Sequence, residues 1–451
     1  MDALSLSEIA DMCGGTLQAS TGTATVRRIS KDTRTLVPGD LYLALRGENH
    51  DGNLHAKDAA AKGAAAAILD KPPADVPAGL PVIQVEDSLA ALHRLAGAWR
   101  DRLALKVACI TGSSGKTSTK EFTAAVLSAR FRVVKTEGNL NNHIGLPLSI
   151  LSASMSDDVA VWEIGMNHPG EIAPLAQLAR PDLAIITNIG VAHIEYMGSR
   201  EAIALEKSAL IEAVGPNGAV VLPTEDEFKD FLAARVKGRV IEAGLSRGTV
   251  TALDLQIEAD GCRFVLHWEG ESLPARLPVP GEHMVRNALL AVATGLEFGL
   301  SLEECVEGLA SSRLTGGRLS RRSVRGITIL DDSYNANPDS MEAAIQTLKS
   351  VTVSGRRIAV LGRMGELGSH ASAGYQQVGR AAAQGIDALI AVGAETVPLA
   401  ETARAGGLKE IHETSSAEEA AGVLRGIARE GDLVLIKGSR AARMERVIEN
   451  F

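Results

Sequence analysis

With 451 residues, 45% apolar and 22% charged, the chain has the composition of an ordinary globular protein of about two to four domains, which excludes disorder. A formal charge of −9 argues against nucleic acid as the main partner, although the basic stretch 313–325 suits a phosphorylated or acidic small molecule. No apolar run approaches the roughly 18–20 residues of a membrane span and no basic-then-apolar leader opens the chain, so a cytoplasmic protein is expected.

Ser5-Leu6-Ser7-Glu8 has the spacing of a capping box before a short helix that stops at Gly14-Gly15. Short β-like runs at 25–29 and 40–45, an alanine-rich helix over 56–67, a strand at 81–85 and a helix over 88–100 make a small mixed α/β module ending near residue 102. From residue 107 onward, apolar strands at 107–110, 159–163, 184–187 and 219–222 alternate with helices, the rhythm of a doubly wound parallel sheet. Residues 251–279 read as antiparallel strands inserted before a helix over 282–298. A third module, from residue 313, alternates again, with strands at 327–330, 357–361, 388–392 and 433–436 and helices over 340–349 and 374–384. The expected fold is α/β in three domains, namely a mixed module over 1–102, a central P-loop domain over 103–312 and a Rossmann-like domain over 313–451. Cys13, Cys109, Cys262 and Cys305 are scattered without a C-x-x-C, so buried thiols are expected rather than disulfides or zinc.

The most informative stretch is Gly112-Ser113-Ser114-Gly115-Lys116-Thr117-Ser118, between the strand at 107–110 and a helix over 116–129. Glycines let backbone N–H groups turn toward phosphate oxygens, Lys116 can reach the terminal phosphates, and Thr117 can offer a hydroxyl to Mg²⁺ at a helix N-terminus. Position 110 is Ile where the longer Walker pattern has Gly, so this is a shortened form. Ligands of such sheets gather at the carboxyl ends of strands, which is where Lys116, Glu163 and the 188–193 loop fall. Glu163, closing an apolar strand, reads as a Mg²⁺ ligand or as a capping or salt-bridged carboxylate. His193 reads as a ligand or as a structural hydrogen-bonding group. Lys207 lies in a helical stretch whose default reading is a solvated surface lysine.

In this order the motifs resemble those of the Mur ligases, ATP-dependent amide ligases of peptidoglycan precursor synthesis, over essentially the whole chain. The resemblance rests on Asp32-Thr33-Arg34, Gly39-Asp40-Leu41, Asp51-Gly52, the 112–120 loop, Gly138-Asn139-Leu140-Asn141-Asn142, Glu163-Ile164-Gly165 and the 187–193 loop. It continues through the stretch 198–207, Asp331-Asp332-Ser333-Tyr334-Asn335-Ala336-Asn337-Pro338-Asp339-Ser340, Gly365-Glu366-Leu367-Gly368 and Lys437-Gly438-Ser439-Arg440. It is strongest to the member that joins D-Ala-D-Ala to UDP-MurNAc-tripeptide through an acyl phosphate. The resemblance implies that Thr117, Glu163 and His193 hold Mg²⁺, and that Lys207 takes up CO₂ as a carbamate to hold a second Mg²⁺. It also implies that Asn287 and Arg318 contact ATP and that Asp332 bonds the ribose, with a plain surface charge as the other reading of Arg318. The UDP end is implied for Ser30, Thr33, Arg34 and Asp51, the last also readable as an ordinary turn residue. Thr136, Asn139 and Asn142 are placed near the substrate phosphates, and Tyr334, Asn335, Asn337 and Ser439 with ATP and the amino substrate. A monomer with small-molecule partners is expected. Ser118, His143 and Arg363 depart from the family's usual residues. The rival readings are a folylpolyglutamate synthase of the same superfamily and a P-loop switch, which requires neither Lys207 nor a UDP-binding module.

Overall fold

A computed structural model describes residues 1–18, 24–314 and 316–451. Its contacts divide into two compact units, one formed by Met1–Cys109, Phe131–Gly165 and Glu171–Asp182 and the other by Ile110–Arg130, Met166–Gly170 and Leu183–Phe451.

In the first unit the expected capping box is present, with Ser5 Oγ accepting from Glu8 N–H, the Glu8 carboxylate accepting from Ser5 N–H, and Gly14 in the left-handed region ending the helix Leu6–Cys13. Five short strands form a sheet in the order Thr16–Gln18, Val82–Gln84, Ala66–Leu69, Leu41–Leu43, Ile29–Ser30, parallel except for the first pair. One expectation is corrected here. The alanine-rich run 56–67 is not one helix but the helix Ala56–Ala61 followed by the strand Ala66–Leu69. Gly63 at φ +82 ends the helix, with Gly63 N–H donating to Ala60 O and Ala64 N–H to Ala59 O, the paired bonds of a Schellman turn. The following Ala66, Ala67, Ile68 and Leu69 are all 0% exposed, so burial on both faces of a central strand overrides alanine's helical preference.

The helix Ser88–Arg102 starts at the Asp87 cap and buries Trp99, whose Nε1–H donates to Ala153 O at 3.0 Å. Strands Val133–Lys135 and Val159–Glu163 pair in parallel, which sets Glu163 at the carboxyl end of its strand.

The second unit carries the parallel strands Leu183–Ile186, Ala219–Pro223 and Arg239–Gly244, continued by Val250–Glu258, Gly261–Trp268 and Glu271–Leu277, which pair antiparallel with one another as expected. Helices Lys116–Leu127 and Glu282–Glu297 pack together, the second burying nearly its whole length. A separate six-stranded sheet runs Ser320–Val324, Ile327–Asp332, Leu433–Lys437, Arg357–Leu361, Ala388–Val392, Glu410–Thr414, parallel except for its first pair. Its order reverses beside Leu433–Lys437, and there Asp332 and Lys437 stand opposite each other at two strand ends. Among the described residues no helix is long and apolar enough to cross a membrane.

Trp99 is 0% exposed and loses both packing and a buried hydrogen bond if truncated. Trp99→Ala is expected to destabilise the first unit by about 3–5 kcal/mol, read as a fall in the urea midpoint of the far-ultraviolet dichroism.

Candidate active site

The phosphate-cradle sequence adopts the expected conformation. The strand Lys106–Thr111 runs into the loop, and Gly115 at φ 80 caps the helix Lys116–Leu127. Two of its glycines are required by close approach. A Cβ on Gly112 would lie 1.8 Å from Thr187 Oγ1, and one on Gly115 would lie 2.8 Å from the Asn287 amide. Lys116 Nζ donates to Gly112 O at 2.8 Å, so its ammonium lies over its own loop.

The loop at 187–190 laces this cradle in place. Ser113 N–H donates to Asn188 O at 3.0 Å, Ser114 N–H to Asn188 Oδ1 at 3.0 Å, and Asn188 Nδ2 returns a bond to Ser114 O at 3.0 Å. Thr187 Oγ1 also donates to Ser114 O, at 2.5 Å, and Gly190 N–H donates to Ser113 Oγ at 2.9 Å. The far side of the same loop is held by Asp226, whose two oxygens accept Ile189 N–H at 2.7 Å and Phe228 N–H at 2.8 Å. Burial raises the pKa of Asp226, and these two N–H donors oppose the rise. Arg200, stacked on the Phe228 ring at 5.2 Å, donates to Ile189 O at 2.9 Å. Asp226 was not singled out from sequence. Its place three residues beyond the end of the strand Ala219–Pro223, at a carboxyl end, is the signal that would have found it.

His193 takes a left-handed backbone, φ 62, at the start of the short helix Ile194–Met197. Its Nδ1 is 2.5 Å from Glu366 Oε2. The same nitrogen is shielded from solvent and has no aligned hydrogen bond, so the carboxylate is close but off the N–H axis. The contact lowers the pKa of Glu366 against the opposing effect of its burial.

Lys207 overturns its default reading. On the helix Arg200–Glu212, capped by Ser199 Oγ, it shares a buried stripe with Ile203, Ala204, Ser208 and Ile211 and is itself 1% exposed. Among the described residues nothing makes an ion pair or hydrogen bond with its ammonium. Burial first, and the charge of Lys116 second, push its pKa well below 10.5, with Glu206 opposing. The stripe spacing of 203, 204, 207, 208 and 211 is the sequence signal that marks this lysine as inward-facing.

Residues of the third module come to the cradle as well. Arg318 Nη2 donates to Thr117 Oγ1 at 3.2 Å while its guanidinium stacks 3.9 Å from the Tyr334 ring, so it is not a plain surface charge. Asn337 caps the helix Pro338–Ser350 and donates through Nδ2 to Ser114 Oγ at 3.0 Å. Asp332 is 8% exposed and accepts from Lys437 Nζ at 2.5 Å and from Leu319 N–H at 3.2 Å. Burial raises the Asp332 pKa, with the Lys437 charge pulling against it. Asn335 lends its backbone oxygen to Lys437 Nζ at 3.0 Å, and Ser439 is 5% exposed.

In the first unit Glu163 is 2% exposed, accepts from Asn141 Nδ2 at 2.7 Å and donates its N–H to Thr136 Oγ1 at 3.0 Å. The Asn142 side-chain oxygen Oδ1 accepts from Ile144 and Gly145 N–H, a local turn role, while Asn139 is exposed. Ser30 Oγ and Asp51 Oδ1 likewise make loop hydrogen bonds, to Asp32 and Asn53, and Arg34 forks onto Asp32 at the surface.

Three family models match the chain in sequence order. "Mur ligase family, catalytic domain" covers residues 25–100, "Mur ligase middle domain" 110–295, and "Mur ligase, glutamate ligase domain" 317–440. The chain belongs to the Mur ligase family. It is 35% identical over 457 residues to the UDP-N-acetylmuramoyl-tripeptide–D-alanyl-D-alanine ligase of Bacillus subtilis strain 168, covering 98% of this chain and 97% of that one. Among solved structures it resembles MurF from Acinetobacter baumannii, with a TM-score of 0.90, 32% identity and coverage of 100% and 99% of the two chains. It also resembles the MurF ligase from Thermotoga maritima in complex with ADP, with a TM-score of 0.83, 28% identity and coverage of 94% and 97%. The three-domain Mur ligase architecture follows.

Lys207 sets a pH dependence whose sign can be worked out. Its folded pKa lies below the unfolded 10.5, so between the two values the unfolded chain holds the proton that the folded chain has lost, and folding stability rises with pH through that window. In CO₂-free buffer Lys207→Met is expected to unfold at higher urea than the native chain at neutral pH. The gap should narrow by up to about 1.4 kcal/mol per pH unit toward pH 10. Parallel stability curves for the two proteins would contradict a buried, weakly basic amine.

Proposed function

We propose that this protein joins D-Ala-D-Ala to the terminal carboxylate of UDP-MurNAc-tripeptide, converting ATP to ADP and phosphate and giving UDP-MurNAc-pentapeptide. The observation that carries the chemistry is the cradle of Gly112–Thr117 laced to the His193 loop, with a buried, weakly basic Lys207 within reach of the charge of Lys116. The substrates follow from the name of the full-length relatives.

A carboxylate oxygen of the tripeptide attacks the γ-phosphorus as the bond to ADP breaks, and the dipeptide amine then attacks the acyl carbon, releasing phosphate and a proton as the amide forms. No protein nucleophile is required, because phosphoryl transfer depends on positioning and charge neutralisation. The backbone N–H groups of the cradle and the N-terminus of the helix Lys116–Leu127 bind the phosphates, and Lys116 turns from Gly112 O onto them. Arg318, already on Thr117 Oγ1, adds a second positive charge beside them, and Asn287 packs against Gly115. Asp332 is assigned to the ribose. Ser118 is assigned to the nucleotide site with the cradle.

The residues suit magnesium, with oxygen donors at Thr117 and Glu163, a ring nitrogen at His193 and, on Lys207, a carbamate. Among the described residues no group of three or more His, Cys, Asp or Glu could hold a metal. The neutral Lys207 amine forms an N–C bond to CO₂, the C=O electron pair moves to oxygen and the nitrogen loses a proton, so an uncharged amine becomes an anion. When bound, Mg²⁺ neutralises charge on the transferring phosphoryl group.

Ser30, Thr33, Arg34 and Asp51 are assigned to the UDP end, Thr136, Asn139 and Asn142 to the substrate phosphates, and Tyr334, Asn335, Asn337 and Ser439 to ATP and the dipeptide. The corresponding domains are 1–102, 103–312 and 313–451. The protein works in the cytoplasm as a monomer on small molecules rather than nucleic acid.

Phosphate release with MgATP and UDP-MurNAc-tripeptide is expected only when D-Ala-D-Ala is present, with a product heavier by one dehydrated dipeptide. Lys116→Ala should abolish turnover while leaving binding of the UDP substrate intact. Dipeptide-independent hydrolysis without that product would overturn the assignment.

A further inference from the structure

The loop bearing His193 is gripped by two carboxylates from the 317–440 region. Asp339, in the first turn of the helix Pro338–Ser350, accepts Val191 N–H through Oδ2 at 3.0 Å, and any Cβ on Gly190 would lie 2.2 Å from that oxygen. Glu366 supplies the second grip, with Oε2 at 2.5 Å from His193 Nδ1. Its backbone is tied to the same segment, since Glu366 O accepts Glu195 N–H at 3.4 Å and Gly368, at φ +50, would press a Cβ to 2.9 Å from Glu195 Cγ. The His193 side chain is 18% exposed and the Glu366 side chain 43% exposed, so the carboxylate is a surface group turned inward onto a shielded ring. Glu366 itself adopts a left-handed backbone, φ 59, a conformation uncommon for a residue with a Cβ.

A neutral imidazole carries one N–H and one lone pair, and a carboxylate beside one nitrogen keeps the proton there. We propose that Glu366 is a positioning residue: a small turn of the ring brings Nδ1–H onto the carboxylate, which lies 2.5 Å away but off the N–H axis, and this contact holds the His193 proton on Nδ1 and leaves the Nε2 lone pair for a divalent cation. The inference rests on the reading of His193 as a metal ligand.

The test uses the full chain with ADP and Mn²⁺ as the probe, followed by electron paramagnetic resonance, together with ¹⁵N spectra of labelled histidine. Glu366→Ala is expected to weaken Mn²⁺ binding by about 10-fold or more and to shift the His193 ring away from the Nδ1–H tautomer. Glu366→Gln keeps an acceptor oxygen in place and is expected to stay near the native affinity and tautomer. His193→Ala serves as the reference for loss of the ligand. Unchanged Mn²⁺ binding in His193→Ala would overturn the metal reading and this inference with it. Weakened binding in His193→Ala but native binding and tautomer in Glu366→Ala would overturn the positioning role alone. Equal losses in Glu366→Gln and Glu366→Ala would replace it with direct ligation by the carboxylate.

Discussion

A buried lysine that feels the charge of a second lysine is the constraint on which the proposed chemistry depends. Lys207 is 1% exposed and feels the positive charge of Lys116. Desolvation and like-charge repulsion both favour the neutral amine, the form that reacts with CO₂. A carbamate at this position would carry the opposite charge, and Lys116 would then attract it rather than repel it. The helix Arg200–Glu212 enforces this by placing Lys207 on its apolar stripe rather than its solvated face.

Around that lysine the second unit is organised as a set of mutually bonded loops. The cradle is fastened to the loop at 187–190, that loop is fastened to Asp226 and Arg200, and Asn337, Asp339 and Glu366 grip the cradle and the His193 loop from the other module. Loops of this kind hold their groups only as well as their partners do, and fixed donors at a phosphate site do not need to reorganise as charge develops. The cradle's glycines Gly112 and Gly115 cannot carry a side chain, because Thr187 of the neighbouring loop and Asn287 of the helix Glu282–Glu297 approach them closely.

Much of this is legible in the residues themselves. Strands such as 357–361 and 388–392 are apolar runs bounded by turns, and the structure has the same limits. The phosphate cradle was legible because its glycines, lysine and threonine are fixed by backbone chemistry within a few consecutive positions. The run 56–67 was misread because alanine favours helices wherever burial does not decide, and here a glycine turn and a central strand decide. Lys207 is illegible to residue-type rules, which place lysine in solvent; the family's motif order singles it out, and the apolar spacing of its helix is the local signal that agrees. Asp226 and Asp339 act across long stretches of sequence on backbone N–H groups, and Glu366 on an imidazole ring. Such partners leave little local pattern, so only the fold reveals them.

The most direct measurement is a ¹³C spectrum of the protein equilibrated with ¹³C-bicarbonate, Mg²⁺ and ADP, compared with Lys207→Met under the same conditions. A carbamate carbon resonance in the native chain that is missing from the variant is the expected result. Identical spectra from the two proteins, with the native sample active in amide formation, would contradict the conversion of this buried amine into a metal-binding anion.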